Sequence, residues 1–341
     1  MSPSTSIPES LAKVEKLLSN GEFPSAAHTA AGILTSPALD PTNIKTIVDL
    51  LSIRYSCLEL IGNTLAAAQE SKVLEDLNSE FYYIVPLTAL SLKSQKETTS
   101  SLPTHILPFS LRLQASRLQS IGFSDPRRAI SALYDLGLEC REHLALSDIS
   151  SNERELWERR LTELGVRVVN ALIEINDLEC AKRTLKGLRS KNDLSWTVRM
   201  GLLLMKIGDI SAAKELLHSS SETSKMLMPL LATIEGRFED AICEWQDFST
   251  HNQETYLKSI IQQNLAVNYL YAGRLGDARQ LMEAAVEKGE GYGSLTFNLA
   301  TVYELSSEKS RDLKISLAAR VASQDRTMLT SRGMTNADFK L

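Results

Sequence analysis

Histidine and cysteine, the side chains that most often bind metals or act as nucleophiles, lie far apart in this sequence. The histidines are His28, His105, His143, His218 and His251, and the cysteines are Cys57, Cys140, Cys180 and Cys243. They lack the close spacing of a zinc site and the pairing of a disulfide framework. Phosphate-binding, dinucleotide-binding and nucleophile-elbow motifs are also absent from the sequence. We therefore expect no catalytic residue, no metal and no cofactor.

Three asparagines, Asn264, Asn268 and Asn298, are candidates for binding a partner protein. Protein domains that grip a C-terminal carboxylate can use asparagines and basic residues on successive helices. Gln263 and Val267 stand where such a clamp would carry Lys and Asn. A carboxylate clamp is therefore disfavoured, and we expect the asparagines to bond neighbouring backbone or to line a groove.

Tryptophan is enriched where proteins bury surface against a partner, so Trp157, Trp196 and Trp245 are further candidates. Trp245 lies four residues after Ala241, at a position of the helical pattern where a large side chain packs in the core. Trp196 lies beside the polar turn KNDLS, and its position in the sequence does not predict that it packs in the core. Trp196 therefore joins the candidate partner-binding residues.

Composition indicates packed helices. Hydrophobic residues make up 43% of the chain and aromatic residues only 6%, with few β-branched runs. The 37 basic and 42 acidic residues are spread along the whole chain, so no basic stripe suits nucleic acid. Apolar runs such as Ile84–Leu92 are shorter than the ~20 residues of a membrane-spanning helix, and the first residues do not resemble a signal peptide. We expect a cytoplasmic protein with reduced cysteines.

A short pattern recurs six times: a turn-forming Gly or Asn followed five residues later by Ala. The pairs are Gly21 and Ala26, Gly62 and Ala67, Asn176 and Ala181, Gly208 and Ala213, Gly236 and Ala241, and Gly273 and Ala278. Gly or Asn can end a first helix in the left-handed conformation, and the small Ala lets a second helix approach closely. Each copy therefore predicts a helical hairpin.

The C-terminal copies also show a longer period. Asn298–Ala300 and Tyr303 stand 34 residues after Asn264–Ala266 and Tyr269, which is the length of a tetratricopeptide repeat. The sequence therefore predicts an all-α fold, an α-α superhelix of tetratricopeptide type with about eight helical hairpins.

Two polar stretches, Lys93–Thr104 and Ser147–Asn152, interrupt the helical pattern. The second is the preferred boundary between residues 1–146, with irregular hairpins, and residues 153–324, with tetratricopeptide repeats. Residues 325–341 form a tail that is either a cap or disordered. Because stacked repeats share one core, we expect two segments of a single curved rod.

The stretch QQNLAVNYLYAGRLGDARQLMEAAV (Gln262–Val286), followed by FNLATVYELSSEKS (Phe297–Ser310), resembles subunit twelve of the TRAPP (transport protein particle) complex. Members of that family share an asparagine-rich helix, a leucine-tyrosine pair and the motif FNL-x-T-x-YEL. The pair is Leu270 and Tyr271 in this chain, which makes Tyr271 a candidate partner-binding residue. Upstream stretches resemble their counterparts in the same order: Leu107–Gln119, Leu156–Leu161 and Lys206–Leu217. The resemblance covers about residues 40–315.

The resemblance implies a non-catalytic scaffold subunit of an assembly that tethers membranes in early secretory and autophagy-related traffic. Its partners would be the large peripheral TRAPP subunits first and the small core subunits second. A Rab-type GTPase, activated by nucleotide exchange on the core subunits, would be an indirect partner. The membrane association would be peripheral, on Golgi and ER–Golgi membranes, and no nucleic acid would bind.

Two alternatives stay open from the sequence. A stand-alone tetratricopeptide adaptor would bind peptide motifs of other proteins as a stable monomer with a groove. An enzyme, or an enzyme-regulating subunit, would show a deep pocket lined by titratable residues with perturbed pKa values.

Overall fold

A computed structural model describes residues 7–84, 102–188, 194–218, 224–251, 255–288 and 293–323. The first eight helices are α1 (Ile7–Ser19), α2 (Phe23–Leu34), α3 (Ile44–Leu60), α4 (Thr64–Ser71), α5 (Phe109–Gly122), α6 (Pro126–Ala145), α7 (Ser151–Glu174) and α8 (Leu178–Gly187). The other eight are α9 (Leu194–Ile207), α10 (Ile210–His218), α11 (Ser224–Ile234), α12 (Phe238–His251), α13 (Thr255–Tyr271), α14 (Leu275–Glu287), α15 (Gly293–Ser306) and α16 (Ser310–Ser323). The expected tail 325–341 and most of the polar stretch Lys93–Thr104 lie outside the described residues.

The helices follow one another as eight consecutive pairs in the described chain. The predicted fold class, an all-α superhelix of tetratricopeptide type, is confirmed. Two short 3₁₀ turns, Lys72–Leu74 and Glu80–Tyr82, lie between α4 and α5. Two strands, β1 (Tyr83–Ile84) and β2 (Thr104–His105), pair antiparallel there with Tyr83 opposite His105. The sequence pattern did not predict this small sheet.

The predicted turn residues all adopt positive φ, as a left-handed helix end requires. The angles are 74° at Gly21, 80° at Gly62, 61° at Asn176, 86° at Gly208, 77° at Gly236 and 77° at Gly273. The alanine five residues after each turn is completely buried in all six copies. The recurring pattern therefore ends one helix and sets a close approach of the next, as predicted.

Helix starts follow from local capping. The Ser150 side chain accepts a hydrogen bond from the Glu153 backbone N–H, and the Glu153 carboxylate accepts one from the Ser150 backbone N–H. This capping box begins α7 at the end of the polar stretch Ser147–Asn152. Pro126 occupies the first turn of α6, where its missing N–H is tolerated, and Asp125 is the cap residue before it.

Contacts divide the chain into two compact units. The first comprises Met1–Ala12, Ala26–Glu59 and Asn63–Ser190, and the second comprises Lys13–Ser25, Leu60–Gly62 and Lys191–Leu341. The connector Ser147–Asn152 lies inside the first unit, where α6 and α7 pack directly against each other. The segments 1–146 and 153–324, which were defined by the regularity of the repeats, stay a prediction.

Polar side chains tie the helices of the first unit together. Arg54 of α3 binds Glu70 of α4 through two N–O contacts of 2.5 Å and donates to the Ala27 carbonyl of α2 at 2.7 Å. Arg112 of α5, which is buried, binds Glu139 of α6 in the same two-pronged way at 2.5 and 2.7 Å. Planar two-point pairs of this kind fix geometry as well as charge.

The second unit has an apolar core that continues from one hairpin to the next. Trp245 of α12 is completely buried against α13, so its predicted core role is confirmed. Around it pack Ile242, Ile261, Leu265, Tyr269 and Ala278. A second cluster joins α14, α15 and α16 through Met282, Val286, Leu295, Leu299 and Leu317.

Candidate functional site

Asn268, one of the candidate partner-binding residues, lies inside the second unit with 1% of its surface exposed. Its side-chain nitrogen donates to the Asn264 carbonyl at 2.8 Å, and its oxygen lies 2.9 Å from the Thr233 hydroxyl. Both polar groups are therefore used within the fold. The sequence leaves open whether this asparagine bonds backbone or lines a groove, and in the structure it bonds the backbone of its own helix and a side chain of another helix.

The other candidates differ in their exposure. Trp196 of α9 is buried, with 7% of its surface exposed. Asn264 and Asn298 are half-buried on α13 and α15. Tyr271, at the end of α13, is the most accessible of the five, with 65% of its surface exposed. The partner-binding role of these residues stays a prediction. Because Asn268 and Trp196 are buried, they are the least suited of the five to contact a partner.

The Tyr271 ring is held in place although it is exposed. It stacks on Phe238, the first residue of α12, with ring centroids 5.2 Å apart and planes 12° from parallel. A stacked aromatic pair positions both rings and keeps apolar surface available at the end of the first helix. Tyr271 is thus a fixed surface feature of the second unit.

Other exposed apolar side chains lie on the first helices of the hairpins in the same unit. We call this set the first-helix row: Leu202, Ile234, Tyr271, Phe297 and Leu305. Ile234 and Tyr271 each stand two residues before a turn glycine, and Leu305 follows Tyr271 by one 34-residue repeat. Ile234, Tyr271 and Leu305 thus stand at equivalent positions of successive repeats, which is typical of a binding surface. Of this row, only Tyr271 is among the candidate partner-binding residues that the sequence predicts.

The first unit contains a cleft of about 570 Å³ between α5, α6 and α7. Apolar residues that include Leu113, Ile121 and Leu133 form part of its lining. An ion pair between Arg117 of α5 and Glu174 of α7, 2.9 Å long, joins the two helices beside it. The volume falls in the range of sites for small molecules or side chains.

The cysteine, tyrosine and histidine side chains with shifted pKa values owe their shifts mainly to burial. Burial raises the pKa of the Cys140 thiol to about 11 and that of the Tyr55 hydroxyl to about 12. Burial lowers the pKa of His105 and that of His143. Each of these shifts favours the neutral form of the group, which suits packing. Within the described residues, His, Cys, Asp and Glu form no group of three able to hold a metal ion.

Paired helices, left-handed turn residues and buried alanines at the close approaches define a helical-repeat protein of tetratricopeptide type. The chain is similar to trafficking protein particle complex subunit 12 of Mus musculus, with 25% identity over 250 residues. It is also similar to the protein of the same name from Homo sapiens, with 23% identity over 250 residues. The resemblance predicted from the sequence motifs is thereby confirmed.

Each match covers 64% of this chain but 31% of the mouse protein and 34% of the human protein. The chain therefore spans about a third of these relatives. No family model matches the sequence.

Solved structures of repeat proteins are also similar to this chain at low identity. A tetratricopeptide repeat protein from Parabacteroides merdae matches with 12% identity and a TM-score of 0.38, covering 96% of this chain and 98% of its own. The TPR domain of P58(IPK) matches with 12% identity and a TM-score of 0.25, covering 94% of each chain.

None of the helices in the described residues combines the length and the apolar character that a membrane-spanning segment needs.

Proposed function

We propose that this protein is a non-catalytic scaffold subunit of a TRAPP-type assembly. The similarity to trafficking protein particle complex subunit 12, which extends over 250 residues, is the observation that carries the proposal. In the proposed role, the chain binds large peripheral subunits first and small core subunits second. The assembly tethers membranes and promotes nucleotide exchange on a Rab-type GTPase in early secretory and autophagy-related traffic. The chain reaches Golgi and ER–Golgi membranes peripherally, through the complex.

The fold supports a role in binding. A helical-repeat chain offers extended surfaces to other proteins, and its repeats need no bound cofactor to pack. The first-helix row leaves apolar side chains of the second unit exposed, which is the composition expected at the centre of a protein interface. We therefore expect at least one other subunit to cover this row in the assembly.

The experiment that tests this proposal is affinity purification of the tagged chain from its native cells at near-physiological salt, followed by mass spectrometry. The double variant Tyr271→Ala, Phe297→Ala changes exposed side chains and should lower the recovery of at least one subunit. A matched control, Leu65→Ala, changes an exposed apolar residue of the first unit and should leave the recovery of that subunit unchanged. If the unaltered chain recovers no TRAPP subunit, the proposal that it belongs to a TRAPP-type assembly is refuted.

A stand-alone adaptor is the second candidate function, and the cleft between α5, α6 and α7 is the observation that favours it. In that case the tagged chain would purify without stoichiometric partners and would bind short peptides. Leu113→Trp, which enlarges a half-buried side chain of the cleft lining, would then abolish peptide binding. If the scaffold proposal is correct, the same substitution leaves the recovery of TRAPP subunits intact.

A further inference from the structure

Phe123, the residue that follows α5, lies under two positive charges. The Lys72 ammonium is 5.1 Å from the centre of the Phe123 ring, and the Arg128 guanidinium carbon is 4.5 Å from it. Phe123 keeps 44% of its surface exposed, and Val73, next to Lys72 in the chain, keeps 82%. Together with the exposed Arg127, these five residues of the first unit form what we call the basic aromatic patch.

The fold holds this patch in place from two sides. A Cβ added to Gly122 would lie 2.5 Å from the Ala68 carbonyl oxygen and 3.1 Å from Cε of Lys72. The ends of α4 and α5 therefore touch at Gly122, and the Lys72 side chain crosses beside Phe123.

On the other side, the chain turns through Ser124, whose φ is 54°, into α6. Asp125 caps that helix by accepting a hydrogen bond from the Arg127 backbone N–H at 3.1 Å. The tight turn returns Arg128 to the Phe123 ring. Because short backbone contacts set both sides, the patch is preformed.

Several basic side chains elsewhere in the first unit are neutralised by carboxylates. Four arginines there bind carboxylates: Arg54 with Glu70, Arg112 with Glu139, Arg117 with Glu174, and Arg167 with Glu163. Among the described residues, Lys72, Arg127 and Arg128 form no ion pair. Two like charges on one ring repel each other, and an anion placed between them would relieve that repulsion.

We propose that the basic aromatic patch binds an acidic segment of a partner protein. Carboxylates of the segment pair with Lys72, Arg127 and Arg128, and an apolar side chain between them packs on Phe123 and Val73. Three basic residues are fewer than the cluster of roughly four to eight by which sequences recognise anionic membranes. Charge complementarity therefore favours an acidic protein segment over a lipid surface, and the inference does not depend on which assembly the chain joins.

The test uses the full chain and a short labelled peptide that carries glutamates on either side of a Phe-Leu pair. Fluorescence anisotropy at low salt should detect binding, which weakens as salt is added because exposed charges are screened. The double variant Lys72→Gln, Arg128→Gln should weaken binding about tenfold or more, and Phe123→Ala should weaken it as well. Arg141→Gln removes an exposed cation outside the patch and should leave binding unchanged. Circular dichroism melting confirms that each variant is folded.

Three results would overturn the proposal. They are no binding of the peptide at any salt concentration, equal binding by the patch variants and the unaltered chain, and binding of anionic lipid vesicles in place of the peptide. The last result would assign the same residues to a membrane surface.

Discussion

The Thr233 hydroxyl lies 2.9 Å from the side-chain oxygen of Asn268 and joins α11 to α13, the first helices of two successive hairpins. The bond is shielded from water because Asn268 is buried. A polar link of this kind fixes how two repeats are placed, whereas apolar contacts alone allow more sliding. Asn268 therefore stabilises the repeat stack.

Asn268→Ala should lower the free energy of unfolding by about 1–3 kcal/mol, because the fold loses the two buried hydrogen bonds that the Asn268 side chain makes with the Asn264 carbonyl and the Thr233 hydroxyl. Chemical denaturation measures this change. Asn264→Ala is the matched control, since it keeps the backbone carbonyl and should cost less than about 0.5 kcal/mol. Equal losses in the two variants would contradict the assignment.

Gly122→Ala should destabilise the first unit by about 1–3 kcal/mol, because the added Cβ would meet the backbone of α4. Gly32, on α2, has no atom within 4 Å of the place where a Cβ would stand. Gly32→Ala should therefore stabilise the protein by up to about 1 kcal/mol through higher helix propensity. Thermal melting of the two variants gives the comparison, and a stabilising Gly122→Ala would show that α4 and α5 do not touch as described.

Gly273→Val should cost about 1–2 kcal/mol or more, because φ is 77° there and a branched side chain disfavours that conformation. Gly273→Asn should cost less, since Asn176 adopts a φ of 61° in the corresponding turn. Denaturant titration of both variants tests this order. If both variants cost the same, the penalty does not come from the left-handed turn.

Stability should fall with acid because of His105. Its Nδ1 accepts the Leu107 backbone N–H at 3.0 Å, so Nε2 carries the proton and donates to the Leu77 carbonyl at 2.9 Å. Burial lowers the folded-state pKa of His105 below its ordinary value of 6.5. Below about pH 6.5 the unfolded chain therefore binds more protons, and the free energy of unfolding decreases until the pH passes the folded-state pKa.

A denaturation series between pH 7.5 and pH 5 measures this slope, with both limits chosen to bracket the ordinary His pKa of about 6.5. His105→Gln should flatten the slope without abolishing it, because burial also lowers the pKa of His143. A slope that His105→Gln leaves unchanged would mean that another group controls the acid response.

The sequence predicted the hairpins well because their signals are local. A turn residue and an alanine five positions later act within one hairpin, so Gly236 and Ala241 predict their own turn and packing without knowledge of the rest of the fold. The same holds for Trp245 at its core position.

Features that depend on distant residues were missed. The strands Tyr83–Ile84 and Thr104–His105 are too short to show alternation, so no pattern predicted their pairing. Lys72 and Phe123 lie far apart in the chain and meet only because α4 packs on α5. Likewise, periodicity placed Asn268 on a first helix but could not show that Thr233, in the preceding hairpin, would meet it.

The most direct test of the scaffold role isolates the assembly through a different subunit and asks whether this chain is part of it. A small core TRAPP subunit is tagged in the native cells, the intact assembly is isolated, and labelled reference peptides quantify each subunit by mass spectrometry. If the chain is a scaffold subunit, it is recovered in stoichiometric amount relative to the large peripheral subunits. Recovery of those subunits with this chain absent or at trace level would contradict the account.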